Sequence, residues 1–176
     1  MASEAHAYSV WALPPEEARV RVKKLMDNLR SEFGGPEFDP HLTVVRAVTL
    51  TPEDALDRFR SACNGVKAYS VHARGISIGT CLNLIFDPTP QVVATSEHCC
   101  GHFGFNRTAA YRPHMSLLYA DLTNEMMKKA EERATILDDS IANLCFTVNR
   151  LALYITDEDK TLKSWKKVAE YELQPI

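Results

Sequence analysis

Two histidines stand 73 residues apart in matched surroundings. The first lies in Phe38-Asp39-Pro40-His41-Leu42-Thr43-Val44-Val45, the second in Tyr111-Arg112-Pro113-His114-Met115-Ser116-Leu117-Leu118. Both frames read aromatic, any residue, proline, histidine, apolar, hydroxyl, apolar, apolar. One histidine two residues before a hydroxyl is a chance pattern, and a lone histidine on a strand is usually structural. Two copies in the same eight-residue frame change that balance. The residue types suit attack at phosphorus, which needs a base for the nucleophile and an acid for the leaving oxygen. Imidazole titrates near enough to neutrality to serve as either. Two hydroxyls can hydrogen-bond the non-bridging oxygens, where charge grows in the transition state. A strained five-membered cyclic phosphate needs less help than a relaxed diester, so two histidines without a metal suffice for it.

Elements that position such a pair must bring two distant segments together. Strand periodicity sends residues i and i+2 to one face. His41 is therefore expected to share a face with Thr43, and His114 with Ser116, on the solvent side of each strand. Leu42, Val44, Met115 and Leu117 then anchor the other face in the core. Each motif leads into a helix capped by a threonine, Thr51 before Pro52 and Thr123 before Asn124. The sequence predicts further strands at 8–13, 69–73, 82–86, 165–173 and, as one long element, 144–155. Helices are predicted from Pro15 to Gly34, with Val20, Leu25, Met26 and Leu29 on the buried face, and at 90–102. Strands outnumber helices and mix with them irregularly. The expected fold is α+β: one domain over 1–176, with two pseudo-symmetric lobes of antiparallel sheet, outer helices and a central groove. The repeat motifs occupy 38–53 and 111–125.

Composition narrows the partner. The chain has 176 residues, 45% hydrophobic and 24% charged, the balance of a soluble globular protein. Its net charge is −3, whereas a protein that wraps a long polyanion carries a basic excess. A small phosphate ester or an RNA end fits better than a long nucleic acid. Five cysteines without regular spacing are not a disulfide framework. The N-terminal stretch has neither the basic patch nor the apolar run of a signal peptide, and no apolar run reaches the ~20 residues of a membrane span. A cytoplasmic monomer with no membrane association is the expectation.

Other residues invite chemistry. Trp11 and Tyr111 are candidates to stack on a base or ribose, weighed against core packing. His98 and His102 bracket two cysteines at helical spacing, but no second pair of ligands accompanies them, and a structural zinc site closes with four. No metal and no cofactor is expected. His6 falls in a stretch read as a tail, and His72 has no partner visible in sequence. Arg46 and Arg112 flank the two motifs; they suit a diphosphate or are solvated surface charges.

The tetrads His41-Leu42-Thr43-Val44 and His114-Met115-Ser116-Leu117 resemble the signature of the two-histidine phosphoesterase superfamily. Residues 8–14, 29–33, 113–119, 149–153 and 159–162 look like those of the plant cyclic phosphodiesterases, so the resemblance runs nearly the whole chain. It implies a bilobal α+β fold with both motif strands lining a groove. It implies hydrolysis of ADP-ribose 1″,2″-cyclic phosphate to the 1″-phosphate and of nucleoside 2′,3′-cyclic phosphates to 2′-phosphates. By family position His41 and His114 are the acid–base pair, Thr43 and Ser116 hold the phosphate, and Tyr119 lies near the substrate. Strict alternation puts Tyr119 on the face opposite His114, so that role requires a bulge or a strand end. An RNA-end processing phosphoesterase and a non-catalytic nucleotide- or RNA-binding module are the competing readings. Intact histidines and hydroxyls in both copies count against the second.

Overall fold

A computed structural model describes residues 4–176. Met1, Ala2 and Ser3, the head of the stretch read as lacking a signal peptide, lie outside the described residues. Eight strands form one antiparallel sheet: β1 (His6–Ala12), β2 (Leu42–Leu50), β3 (Tyr69–Ile78), β4 (Leu82–Phe86), β5 (His114–Leu118), β6 (Cys145–Val148), β7 (Arg150–Ile155) and β8 (Lys166–Glu172). Their order is β6-β3-β4-β5-β2-β1-β7-β8. Four helices join them: α1 (Glu16–Phe33), α2 (Pro52–Cys63), α3 (Pro90–Phe103) and α4 (Asn124–Leu137). The α+β expectation holds.

The order of strands shows how the repeat is built. Each half runs strand, helix, motif strand, helix: β1-α1-β2-α2, then β4-α3-β5-α4. After the first half the very next strand crosses; after the second, β6 stays on its own side, paired with β3, and the crossing comes one strand later. β3 follows the first half but pairs with β4, and β7 follows the second but pairs with β1. The halves therefore interlock. The motif strands β2 and β5 are neighbours at the centre, touching at one registered pair, Leu42 with Met115. That contact is the seam of the sheet, with a histidine immediately before each of the two paired residues.

Local chemistry explains the elements. Thr51, Thr89 and Thr123 each accept a hydrogen bond from a backbone N–H of the helix they cap, and proline follows the first two. Glu16 and Glu17 sit at the positive end of α1. Its buried stripe is Ala18, Val22, Leu25, Met26 and Leu29, an i, i+4, i+7, i+8, i+11 series. Val20, expected on that face, is 54% exposed. Between the sheet and the helices lies the main core, with Tyr8, Val10, Leu42, Val45, Leu84, Met115, Leu117, Leu151 and Leu153 from the strands.

Two sequence expectations need correction. The long strand over 144–155 is two strands at opposite regions of the sheet: β6 pairs with β3, and β7 with β1 and β8. Asn149 is the break, where the chain crosses from one half to the other. Apolar residues on both sides of Asn149 hid it, although β6 alternates exposed and buried positions and only β7 is a buried run. His6 is not in a tail. It lies in β1, and its Nδ1 is 2.7 Å from a carboxylate oxygen of Asp157.

Among the described residues, no helix is long and apolar enough to cross a membrane.

Candidate active site

Asp39 and Arg112 begin the construction, because each precedes a proline and proline holds the residue before it in extended backbone. That geometry presents their carbonyls to the histidines two residues later. His41 Nδ1–H donates to the Asp39 carbonyl at 2.7 Å, and His114 Nδ1–H donates to the Arg112 carbonyl at 2.8 Å. A carbonyl can only accept, so both rings carry their proton on Nδ1 and leave Nε2 for substrate. The x-Pro-His triplet is therefore a device that fixes the tautomer, and the chain contains it twice.

Both histidines line one groove of about 850 Å³, together with Thr43, Tyr119, Tyr111, Arg46, Arg112 and the 105–110 loop. The two rings are close enough for His114 to help hold down the pKa of His41. Their environments differ. His114 is exposed, whereas His41 is only 5% exposed. Strand alternation predicts both on a solvent-facing side. His41 is instead covered by Trp11, whose ring is parallel to the imidazole with centroids 3.4 Å apart. Burial is the main reason that its pKa falls to about 4; the hydrogen bond to Asp39 opposes the fall.

Trp11 is therefore no platform for a base. Its other face lies on Tyr154, 3.8 Å between centroids, and only 2% of the residue is exposed. Tyr154 and Trp165, the latter edge-on to Trp11 at 5.6 Å, complete this support. Sequence reasoning missed both, since each sits in an unremarkable strand or turn far from the motifs. Tyr111 lines the groove but is also engaged. Its hydroxyl donates to the Thr43 carbonyl at 2.7 Å, and the Arg107 guanidinium lies 4.6 Å from its ring centroid.

Thr43 opens on the groove, half-buried. Ser116 is buried and outside the groove lining. Its hydroxyl reaches the Asn83 side-chain oxygen at 3.4 Å, with Cys81 Sγ 3.5 Å away. Tyr119 faces the groove for a reason the sequence did not disclose. Asn83 pairs with Ser116 but Leu82 with Leu118, so β5 gains one residue, Leu117, over its neighbour. A bulge of this kind reverses the alternation beyond it, and the strand ends at Leu118. Trp11 pairs with Thr43 but Val10 with Val45, so β2 gains Val44 at the equivalent place. The bulge stands three residues after the histidine in both halves. It returns the fifth residue, Tyr119 or Arg46, to the groove.

Gly35 holds the Tyr119 rim. Its φ is +105°, and a Cβ there would collide with the Tyr119 carbonyl oxygen.

His98 and His102 meet edge-on, with ring centroids 4.8 Å apart. His98 Nε2 donates to the Ala62 carbonyl at 3.1 Å. Among the described residues no three His, Cys, Asp or Glu side chains gather as a metal site.

The profile of the 2'-5' RNA ligase superfamily matches residues 14–160. The chain belongs to this superfamily of two-histidine phosphoesterases. It is a phosphodiesterase. A cyclic phosphodiesterase of Arabidopsis thaliana is 51% identical over 173 residues, covering 96% of each chain. A 2',3'-cyclic-nucleotide 3'-phosphodiesterase of Phaeosphaeria nodorum is 26% identical, over 94% of this chain and 98% of its own. Solved structures share the fold at low identity. E. coli LigT, in a crystal structure with 3'-AMP, has a TM-score of 0.64 at 10% identity, covering 97% of this chain and 99% of its own. TT0787 of Thermus thermophilus has 0.63 at 12%, covering 96% and 98%.

Proposed function

We propose that this protein opens cyclic phosphates by metal-independent general acid–base catalysis, with His41 and His114 as the acid–base pair. One Nε2 takes a proton from the attacking water, and the other returns one to the ribose oxygen as the phosphorus–oxygen bond of the ring breaks. ADP-ribose 1″,2″-cyclic phosphate would give the 1″-phosphate, and nucleoside 2′,3′-cyclic phosphates the 2′-phosphates. The observation that carries the reading is the pair of imidazoles on one groove, each with Nδ1–H tied to a backbone carbonyl and Nε2 left free. The full-length likeness to the Arabidopsis cyclic phosphodiesterase supports the choice of a cyclic substrate.

Thr43 and Ser116 hold the non-bridging oxygens. Thr43 does so from where it stands; Ser116 must turn its hydroxyl from Asn83 toward the phosphate. Tyr119, beside Ser116, closes that side of the groove. The substrate is a small molecule, and the protein acts in the cytoplasm as a monomer.

The test is direct. The protein is incubated, with EDTA present, with ADP-ribose 1″,2″-cyclic phosphate and the four nucleoside 2′,3′-cyclic phosphates, and products are identified by phosphorus-31 NMR. The reading expects ring opening to the 1″- and 2′-monoesters. No turnover of any of them, or activity lost in EDTA and restored by zinc or magnesium, would refute it.

A further inference from the structure

Polar side chains gather where β2 leaves the regular ladder. Beyond Leu42, which pairs with Met115, β2 has a strand on one side only, and Val44 is the extra residue of its bulge. There the carbonyls of Thr43 and Val44 take side-chain donors. The Tyr111 hydroxyl donates to the Thr43 carbonyl at 2.7 Å. The Ser96 hydroxyl, on α3 and only 1% exposed, donates to the Val44 carbonyl at 2.7 Å. A buried carbonyl left without a donor is costly, so the two hydroxyls hold the bulge in one shape. Burial pushes the Tyr111 phenol above its ordinary pKa range, which keeps it a donor.

Arg107 joins the two donors. One of its terminal nitrogens donates to Ser96 Oγ at 2.7 Å and to Cys100 Sγ at 3.2 Å. Its guanidinium also lies over the Tyr111 ring, 4.6 Å from the centroid. Ser96 accepts from Arg107 and gives its own proton to Val44, so the cation orients that hydroxyl as well as the phenol ring.

The network bridges the two halves of the site. Tyr111 stands one residue before Arg112, whose carbonyl holds the His114 ring, while its hydroxyl reaches the strand that carries Thr43. The other half is built differently. There the counterpart of Tyr111 is Phe38, which has no hydroxyl and packs on Tyr119 with centroids 4.7 Å apart. The same strand–helix unit thus folds without a Tyr hydroxyl at this place. The network falls in the half where the motif hydroxyl, that of Thr43, opens on the groove.

We propose that Arg107 is a positioning residue for the reaction: through Tyr111 and Ser96 it fixes the Thr43–Val44 bulge and so holds the Thr43 hydroxyl where the phosphate needs it. This rests on the hydrolytic reading above and adds a residue that acts on the phosphate through others.

The experiment is a double-mutant cycle on adenosine 2′,3′-cyclic phosphate. Tyr111→Phe, which removes one hydroxyl, and Arg107→Met are each made in the wild type and in Thr43→Ala. In the wild type, kcat should fall about 10-fold for Tyr111→Phe and up to about 100-fold for Arg107→Met, with KM changed less. In Thr43→Ala each further loss should shrink to about 2-fold or less, because residues that act through Thr43 lose their effect when its hydroxyl is gone. Equal losses in both backgrounds would make the network a structural support only, and a loss confined to KM would make Arg107 a substrate contact. Either result overturns the proposal. Should Arg107→Met not fold, the Tyr111→Phe cycle decides alone. If the wild type opens no cyclic phosphate, the hydrolytic reading fails, and calorimetry with inorganic phosphate decides the positioning role. Binding weakened by Tyr111→Phe in the wild type but not in Thr43→Ala supports it; no binding, or the same change in both backgrounds, overturns it.

Discussion

The His41 and His114 halves of the groove use one device for the ring and opposite devices for its surroundings. In both, x-Pro-His ties Nδ1–H to the carbonyl two residues back. His41 is then sealed beneath Trp11 and held neutral by burial, while His114 stands open beside an unpaired arginine. Catalysis of proton transfer in both directions needs two imidazoles in different protonation states at the same pH. Duplicating a strand and burying one copy places the two rings in different surroundings, as the proposed mechanism requires. The free protein thus starts with His41 unprotonated, and an anionic phosphate entering the groove pulls its pKa upward again.

Removing either ring is the largest test of this division. His41→Ala and His114→Ala should each reduce kcat by roughly 10²–10⁴-fold, the usual share of a positioned acid or base, with the far-ultraviolet circular dichroism unchanged. Full activity in either variant would dissolve the pair. Thr43→Ala and Ser116→Ala come next, at up to about 10²–10³-fold by analogy with the loss of an oxyanion donor. Both should fall on kcat more than on KM. Thr43, already open to the groove, should show the larger loss of the two; a pure KM effect in both would recast them as ground-state anchors.

Gly35→Ala sharpens the comparison from the other side. A Cβ there must displace the Tyr119 carbonyl, disturbing the rim on the Ser116 side while leaving the Trp11 stack alone. Melting and kinetics together should show a Tm loss and a raised KM, with the acid side of the pH profile where the wild type has it. A variant that moved that acid limb would show that the Tyr119 rim also sets the surroundings of His41, through Phe38 and Trp165, which touch both rings.

Burial of His41 also has a stability consequence. Its pKa lies near 4 when folded, against an ordinary 6.5. Between those values the unfolded chain binds a proton that the folded chain refuses, so this residue's contribution to stability is fully present above about pH 6.5 and is lost as pH falls toward 4. The whole effect is on the order of 3 kcal/mol. Urea unfolding at pH 7 and pH 4.5 should show a larger loss in the wild type than in His41→Gln. Equal losses would mean that His41 is not buried as described.

Most of the fold was legible in the sequence because its signals are local. Threonine caps, Pro-Glu helix starts and short apolar runs fixed all four helices and most strands to within a few residues. The motif pair was legible because it is duplicated, and a repeat is visible without any knowledge of contacts. What escaped depends on tertiary pairing. The break at Asn149 is invisible because strand-forming residues flank it on both sides, and only the pairing of β6 with β3 and of β7 with β1 separates them. The bulges at Val44 and Leu117 consist of ordinary apolar residues, so strict alternation misplaced Tyr119 and gave no reason to bring Arg46 inward. Trp11 looked like a stacking platform because sequence cannot show that His41 and Tyr154 already occupy its two faces.

The central claim is that one histidine must be neutral and the other protonated in the same molecule. The measurement that tests it most directly is kcat/KM for a cyclic phosphate from pH 3.5 to 9, which reports the free enzyme. A bell is expected, with the acid limb near pH 4, where burial puts His41; the limbs belong to the coupled pair. Trp11→Leu, which opens His41 to water, should move that limb upward toward the ordinary imidazole value. A wild-type profile that climbs steadily to an alkaline plateau would contradict the account, because no protonated partner would then be required.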